Sequence, residues 1–318
     1  MANPATPTTR PILALRTMPS QAWHLLRALR PKQWAKNLLV YLAFFFTIGD
    51  HAADGIGAEG ALLGRVTLGF IVFCALSGAI YLVNDLFDLE QDRLHPKKRH
   101  RPLASGRLHG ALALGGVATL SGGGMAAAFL IDVHFGIIAA VYLALTMSYT
   151  MHFKDQVLLD VLFVSAGFVL RAAAGAVIID VPISPWLYVM TSLGALLISL
   201  GKRRSEMESL GNNGGAEAHR PALQHYTREY VDQLIGVVAP ATLVAYTLYT
   251  FTAENLPANN AMMLTIPFVV YGLFRYLFLI HRRNMGGAPE EILLTDVPLL
   301  LNIVGWLGTA ILILLLTR

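Results

Sequence analysis

Long apolar runs follow one another along almost the whole of this 318-residue chain, and they leave few folds open. A lipid core about 30 Å thick is crossed by roughly 20 apolar residues in an α-helix. Backbone polar groups must be satisfied within the segment at that depth, so a series of such runs folds as a helical bundle. About nine candidate spans can be read, near residues 37–50, 64–84, 109–131, 134–151, 158–178, 185–201, 232–253, 260–281 and 295–317. The first is short and is expected to start further back, near Gln33. No strand pattern appears. Only 14% of residues are charged, against about 25% in a soluble domain. The expected fold is therefore an all-α integral membrane protein. Gly122, Gly123 and Gly124 in the third run, and Ala172 to Ala176 around Gly175 in the fifth, are small enough to let helices approach closely.

The connections alternate in charge. The first, third, fifth and seventh, Ile48–Leu63, Ile131–Val133, Asp180–Ser184 and Glu254–Asn259, carry no Lys or Arg. The even-numbered ones hold most of the basic residues, among them Arg93, Lys97, Lys98, Arg101, Lys154, Lys202, Arg203, Arg204, Arg220 and Arg282. Arg27, Arg30, Lys32 and Lys36 precede the first run. By the positive-inside rule these faces are cytoplasmic, in the plasma (inner) membrane, and the C-terminus lies outside. Residues 1–20, rich in Pro and Thr, read as a disordered cytoplasmic tail, and 21–318 as one transmembrane domain. The lone cysteine, Cys74, excludes an intramolecular disulfide.

Asn84-Asp85-Leu86-Phe87-Asp88-Leu89-Glu90-Gln91-Asp92 concentrates carboxylates at the end of the second run. Asp85, Asp88 and Asp92 have the i, i+3, i+7 spacing of one helix face. Like charges that close need a cation, and an all-oxygen donor set suits Mg2+, which holds phosphate groups well. Glu90 falls on another face and is expected to be a surface or ion-pair residue. The basic block Arg93 to Arg101 follows at once. It serves the positive-inside signal, and it also offers Arg93, Lys98 and Arg101 to neutralise a polyphosphate held by the metal. His95 and His100 lack zinc-ligand spacing.

Further polar groups gather at other cytoplasmic junctions. Lys154, Asp155 and Asp160 follow Tyr149 and are either a charged helix end or a second pole of the same site. Arg171 lies inside the fifth run and must pair or line a wet cavity. Lys202-Arg203-Arg204 ends the sixth run, where cations suit the helix terminus and the inner leaflet as well as an anion. Lys36 and Asn37, just past Trp34, either meet a lipid phosphate or snorkel to the interface.

Asn84-Asp85-x-x-Asp88-x-x-x-Asp92 after an apolar helix resembles the first acidic motif of the UbiA superfamily of intramembrane prenyltransferases, and the match runs from Arg30 to the last span. The resemblance implies a nine-helix bundle around a central cavity, capped by cytoplasmic loops and dependent on Mg2+ held by Asn84, Asp85, Asp88 and Asp92. Arg30-Pro-Lys-Gln-Trp-Ala-Lys-Asn37, Asp92-Arg-x-His-Pro-x-Lys98, Arg101-Pro-x-Ala-Ser-Gly106 and Gly167-Phe-x-Leu-Arg-Ala172 are similar to the phosphoribosyltransferase branch of that superfamily. That branch moves 5-phosphoribose from phosphoribosyl pyrophosphate to a polyprenyl phosphate, towards arabinose donors for the cell wall.

The quinone-type members carry a second D-x-x-x-D motif. Here Asp155-x4-Asp160 replaces it, which favours a donor other than an isoprenyl diphosphate. The implied catalytic set is Asp85, Asp88, Asp92, Lys154 and Asp160. The implied substrate contacts are Lys36, Asn37, Asn84, Arg93, Lys98, Arg101, Tyr149, Arg171, Lys202 and Arg203. No nucleic-acid partner is expected, and the oligomeric state stays open. Two alternatives remain: prenylation of an aromatic or quinone-precursor ring, and, more remotely, cation transport along the acidic face.

Overall fold

The computed structural model describes residues 18–47, 56–96, 98–182, 185–211, 223, 225–253, 256–283, 285–287, 292 and 295–317, and among them every regular element is helical. Residues 1–17 of the expected tail, Lys97 and Arg220 lie outside the described residues. A short helix α1 (Met18–Ala28) precedes the first crossing. It rests on the bundle through Gln21, whose amide donates to the Arg107 carbonyl at 2.9 Å, and it leaves Trp23 exposed. That arrangement suits an interfacial helix with an aromatic anchor.

The first crossing is not a plain α-helix. It begins with a 3-10 helix over Pro31–Tyr41 (11 residues) and continues as α2 (Leu42–Thr47, 6 residues). Pro31 takes the first helical position, and Arg30 before it adopts a left-handed backbone with φ 54°. A 3-10 helix rises ~2.0 Å per residue against ~1.5 Å for an α-helix, so this segment covers about 31 Å with few residues. That explains why the apolar run looked short. The stretched segment packs very close to the fifth expected span. A Cβ on Gly175 would lie 1.9 Å from the Val40 carbonyl oxygen, so only glycine fits there.

The remaining long helices are α3 (Ile56–Phe87), α5 (Gly110–Ile131), α6 (Val133–Met151), α7 (Leu159–Ile178), α8 (Pro185–Gly211), α9 (Arg228–Thr252), α10 (Ile266–Arg282) and α11 (Val297–Thr317). The short α4 (Leu89–Leu94) continues α3 after a break at Asp88. Among the described residues seven stretches are long and apolar enough to cross a membrane: 59–87, 110–131, 133–151, 159–178, 228–252, 261–282 and 297–317. The other two expected spans fall on the 3-10/α2 segment and on the apolar front of α8. The count of nine is not reproduced by length and apolarity alone.

Three buried clusters tie the bundle together. Phe73, Leu76, Phe135, Tyr142 and Ile178 join α3, α6 and α7 around Val40. Val161, Leu200, Val231, Ile235 and Ile280 join α7 to α10 on the other side. Phe46, Tyr246, Tyr249, Met262 and Ile313 join α2, α9 and α11. Of the glycines in the third run, Gly124 is pressed on Leu76, where a Cβ would sit 2.9 Å from its side chain. Gly122 and Gly123 face open space.

Candidate active site

The acids at the end of α3 are gathered by side chains from distant parts of the chain. Asp85 is buried and accepts from Arg30, at the start of the 3-10 helix, and from Arg101 Nη1 at 3.1 Å. The same Arg101 nitrogen donates to Asp92 Oδ2 at 2.5 Å, so one guanidinium bridges the first and last acids of the motif. Lys98 Nζ lies 3.9 Å from Asp92 Oδ1. Asp88, where the helix breaks with φ −88° and ψ 10°, turns elsewhere. It accepts from Lys154 Nζ at 2.9 Å and from the Asn84 amide at 3.0 Å. The shared helix face therefore holds for Asp85 and Asp92, while the break gives Asp88 a separate cation.

Arg101 is aimed by a tight turn. Backbone N–H groups of Ser105, Gly106 and Leu108 donate to the carbonyls of Arg101, Leu103 and Pro102, and Gly106 takes a positive φ of 70° that glycine adopts without cost. Leu103 and Leu108 bury themselves beneath the turn. The Arg-Pro-x-Ala-Ser-Gly sequence thus works as a rigid mount for one guanidinium.

Beside these acids a polar chamber of about 250 Å3 opens among the 3-10 segment, α3, α6, α7 and α8. Arg30, Lys36, Asn84, Tyr149, Lys202 and Arg203 bring polar groups to its wall, with Tyr81, Phe163 and Phe168 between them. Arg171 is also on the wall, yet all three of its nitrogens already have protein acceptors. Nε donates to Asn37 Oδ1 at 2.8 Å, Nη1 to the Gly167 carbonyl at 2.8 Å and Nη2 to the Tyr142 hydroxyl at 2.6 Å. Its guanidinium also lies 4.6 Å from the Tyr142 ring centre. An intramembrane charge this fully paired is first a clasp between the 3-10 segment, α6 and α7. Asn37 is buried behind it, donating towards Ser77 Oγ at 3.2 Å, and does not reach the chamber.

Next to the chamber lies an apolar channel of about 500 Å3, lined by Leu39, Leu42, Phe46, Met190, Tyr246 and Trp306 among others. Lys36, Phe168 and Ile198 line both spaces, so Lys36 places a cation where polar surface gives way to apolar surface. A further apolar space of about 450 Å3 shares Gly194, Ile198, Val269, Ile303 and Trp306 with the channel.

The second acidic pole is built differently. Asp160 has no exposed surface; it accepts from the Tyr226 hydroxyl at 2.8 Å and lies 2.9 Å from Arg203 Nε. It does not line the chamber, so the structure places it behind Arg203. Arg93 is set apart as well: it is half exposed and pairs with the exposed Glu90 at 2.7 Å, away from the buried Asp92. This sets Arg93 apart from Lys98 and Arg101, its expected partners in neutralising a polyphosphate, and Glu90 is the surface ion-pair residue expected. Arg204 leaves the chamber too, meeting Asp232 at 2.8 Å and the Ile280 carbonyl at 2.9 Å, which ties α8 to α9 and α10. Arg30 joins the site although the motif alone did not single it out. Its signal was its place just before the first span, at the head of the Arg30-Pro-Lys-Gln-Trp-Ala-Lys-Asn37 stretch.

The residues fit a hard divalent cation by donor chemistry. Asn84, Asp85, Asp88 and Asp92 can each offer oxygen acceptors, and Asp92 Oδ1 is buried without a hydrogen bond. With the basic side chains on the acids, no group of three His, Cys, Asp or Glu among the described residues is gathered closely enough to hold a metal.

Residues 38–292 match the model of the UbiA prenyltransferase family. The chain is 35% identical over 297 residues to the decaprenyl-phosphate phosphoribosyltransferase of Mycolicibacterium smegmatis, covering 90% of each chain. It is 34% identical over 287 residues to that of Corynebacterium glutamicum, covering 89% of this chain and 84% of the relative. Its fold is similar to a UbiA homologue from Archaeoglobus fulgidus bound to GPP and Mg2+, with a TM-score of 0.66 at 20% identity over 92% of this chain and 99% of the other. The acidic motif, the polar chamber and the helical bundle thus agree with the sequence relationship, and this multi-pass membrane protein belongs to the UbiA prenyltransferase family.

Proposed function

We propose that this protein transfers a 5-phosphoribosyl group from phosphoribosyl pyrophosphate to a polyprenyl phosphate and releases pyrophosphate. The observation that carries the reading is the junction at Lys36, where a polar chamber rich in cations lies next to an apolar channel beside the acidic motif. Such a junction suits an acceptor with a charged head and an isoprenoid tail. The likeness to relatives named decaprenyl-phosphate phosphoribosyltransferases supports the same substrates.

An oxygen of the lipid phosphate attacks C1 of the ribose, the bond from C1 to the pyrophosphate oxygen breaks, and pyrophosphate leaves with the electron pair. The attacking oxygen is already anionic, so no strong general base is required. Lys36 holds the acceptor phosphate at the mouth of the channel. Arg30, Lys98, Arg101 and Lys154 turn from the acids to the donor phosphates, joined by Lys202 and Arg203 from the chamber wall. Mg2+ held by Asp88 and Asp92, with Asn84 and Asp85, would stabilise the charge that develops on the leaving pyrophosphate. Cations placed where charge develops act more strongly in a water-poor chamber than in solution. On the positive-inside reading the chamber faces the cytoplasm and the plasma membrane is the site of action.

A second reading, in which the lipid carries the leaving diphosphate and an aromatic ring is the acceptor, takes its prenyl diphosphate donor from the similar fold solved with GPP and Mg2+. Mass spectrometry of the lipid products separates the two. Purified protein in lipid nanodiscs receives either phosphoribosyl pyrophosphate with a polyprenyl phosphate, or a prenyl diphosphate with 4-hydroxybenzoate. A phosphoribosylated lipid in the first mixture alone supports the proposal. A prenylated ring in the second alone overturns it.

A further inference from the structure

The geometry points to Tyr226, two residues before α9, as a positioning residue that aims Arg203 into the chamber through Asp160. The inference rests on the proposed function in one respect: the chamber must hold a polyphosphate.

Arg203 is almost fully buried yet lines the chamber, so its direction decides whether its fork reaches a ligand. Its partner Asp160 is completely buried, and the 2.9 Å approach of Arg203 Nε to Asp160 Oδ2 lacks the alignment of a hydrogen bond. The well-aligned hydrogen bond to the Asp160 side chain, among the described residues, comes from the Tyr226 hydroxyl at 2.8 Å. The carboxylate is thus oriented by the phenol, and the guanidinium is held between that carboxylate, at Nε, and Glu206, which accepts from Nη1. Burial pushes the Tyr226 phenol well above its usual range, which keeps it a proton donor.

The same hydroxyl accepts from the Leu158 N–H at 2.8 Å. Leu158 holds a positive φ of 66°, a conformation that a branched residue keeps only when its surroundings impose it. That turn links Lys154, which pairs with Asp88, to the start of α7. One phenol on the α8–α9 connection therefore restrains both Arg203 on the chamber wall and the turn behind Lys154. Tyr226 is itself set by the cluster of Val161, Leu197, Leu200, Val231 and Ile235, so it is a fixed post rather than a mobile cap.

The test is calorimetric titration of inorganic pyrophosphate with Mg2+ into wild type, Tyr226→Phe, Arg203→Lys and the double variant, all in nanodiscs. Tyr226→Phe should weaken pyrophosphate binding about tenfold in the wild-type background. In the Arg203→Lys background, which lacks the fork, the same change should cost less than about twofold, because the group that Tyr226 aims is gone. Equal losses in both backgrounds, or no loss in either, overturn the inference while leaving the proposed function intact. A Tyr226→Phe protein that no longer folds overturns it too, since Tyr226 would then hold the fold rather than aim Arg203. Wild type that fails to bind pyrophosphate overturns the reading of the chamber itself, and this inference with it.

Discussion

The two acidic poles of this protein satisfy their charges in opposite ways. At the first, Asp85, Asp88 and Asp92 are held by long basic side chains that keep part of their surface in water, between 22% exposed for Lys154 and 39% for Lys98. Each of those cations reaches in from another element and can leave without unpacking the bundle. At the second pole, Asp160, Arg203 and Tyr226 are sealed together, at 0%, 2% and 4% exposure. A part-exposed cation can swing out to water, while the buried carboxylates of Asp85 and Asp92 then need another cation in its place. A fully buried pairing is expensive to break because the remaining charge has nowhere to go. The first pole is therefore built to trade partners, and the second to stay fixed.

Five substitutions would break or sharpen that contrast. The largest effect is expected from Asp88→Asn and Asp92→Asn, which should lower phosphoribosyl transfer at least about a hundredfold while the protein still purifies as a folded species. Product formation under saturating substrates measures it, and near-normal turnover would remove these acids from the mechanism. Asp160→Asn should act on stability instead. Arg203 then keeps only Glu206 of its two carboxylates, which should cost about 1–3 kcal/mol, read as a lower thermal midpoint in detergent. Lys154→Ala should raise the KM for the donor roughly tenfold and lower kcat less, since it removes one phosphate contact and frees Asp88. Arg93→Ala should change neither activity nor stability by more than about 1 kcal/mol, because its pairing with Glu90 is exposed.

Much of this arrangement was legible in the sequence, because it follows from local rules. Apolar runs of the right length become helices, and Asp85 and Asp92 at i, i+7 do meet a common partner. The 3-10 form of the first crossing was not legible. It depends on the contact between Val40 and Gly175, far apart in the chain and drawn together only in the bundle. The same is true of the ion pairs. Arg30 finds Asp85 across 55 positions, and Lys154 finds Asp88 across 66. The basic triplet at the end of α8 shows the limit most clearly. Lys202, Arg203 and Arg204 read as one charged block, yet successive helical residues point about 100° apart. The first lines the chamber, the second also meets Asp160, and the third turns away to Asp232.

The central claim is that the metal sits at the first pole, while the second holds Arg203 towards the polyphosphate and takes no metal. Mn2+, a paramagnetic stand-in for Mg2+, can be titrated with pyrophosphate present and its bound fraction read by electron paramagnetic resonance in wild type, Asp88→Asn and Asp160→Asn. The account predicts that Asp88→Asn weakens Mn2+ binding at least about tenfold and that folded Asp160→Asn retains its metal sites. Loss of metal on changing Asp160, with none on changing Asp88, would contradict it.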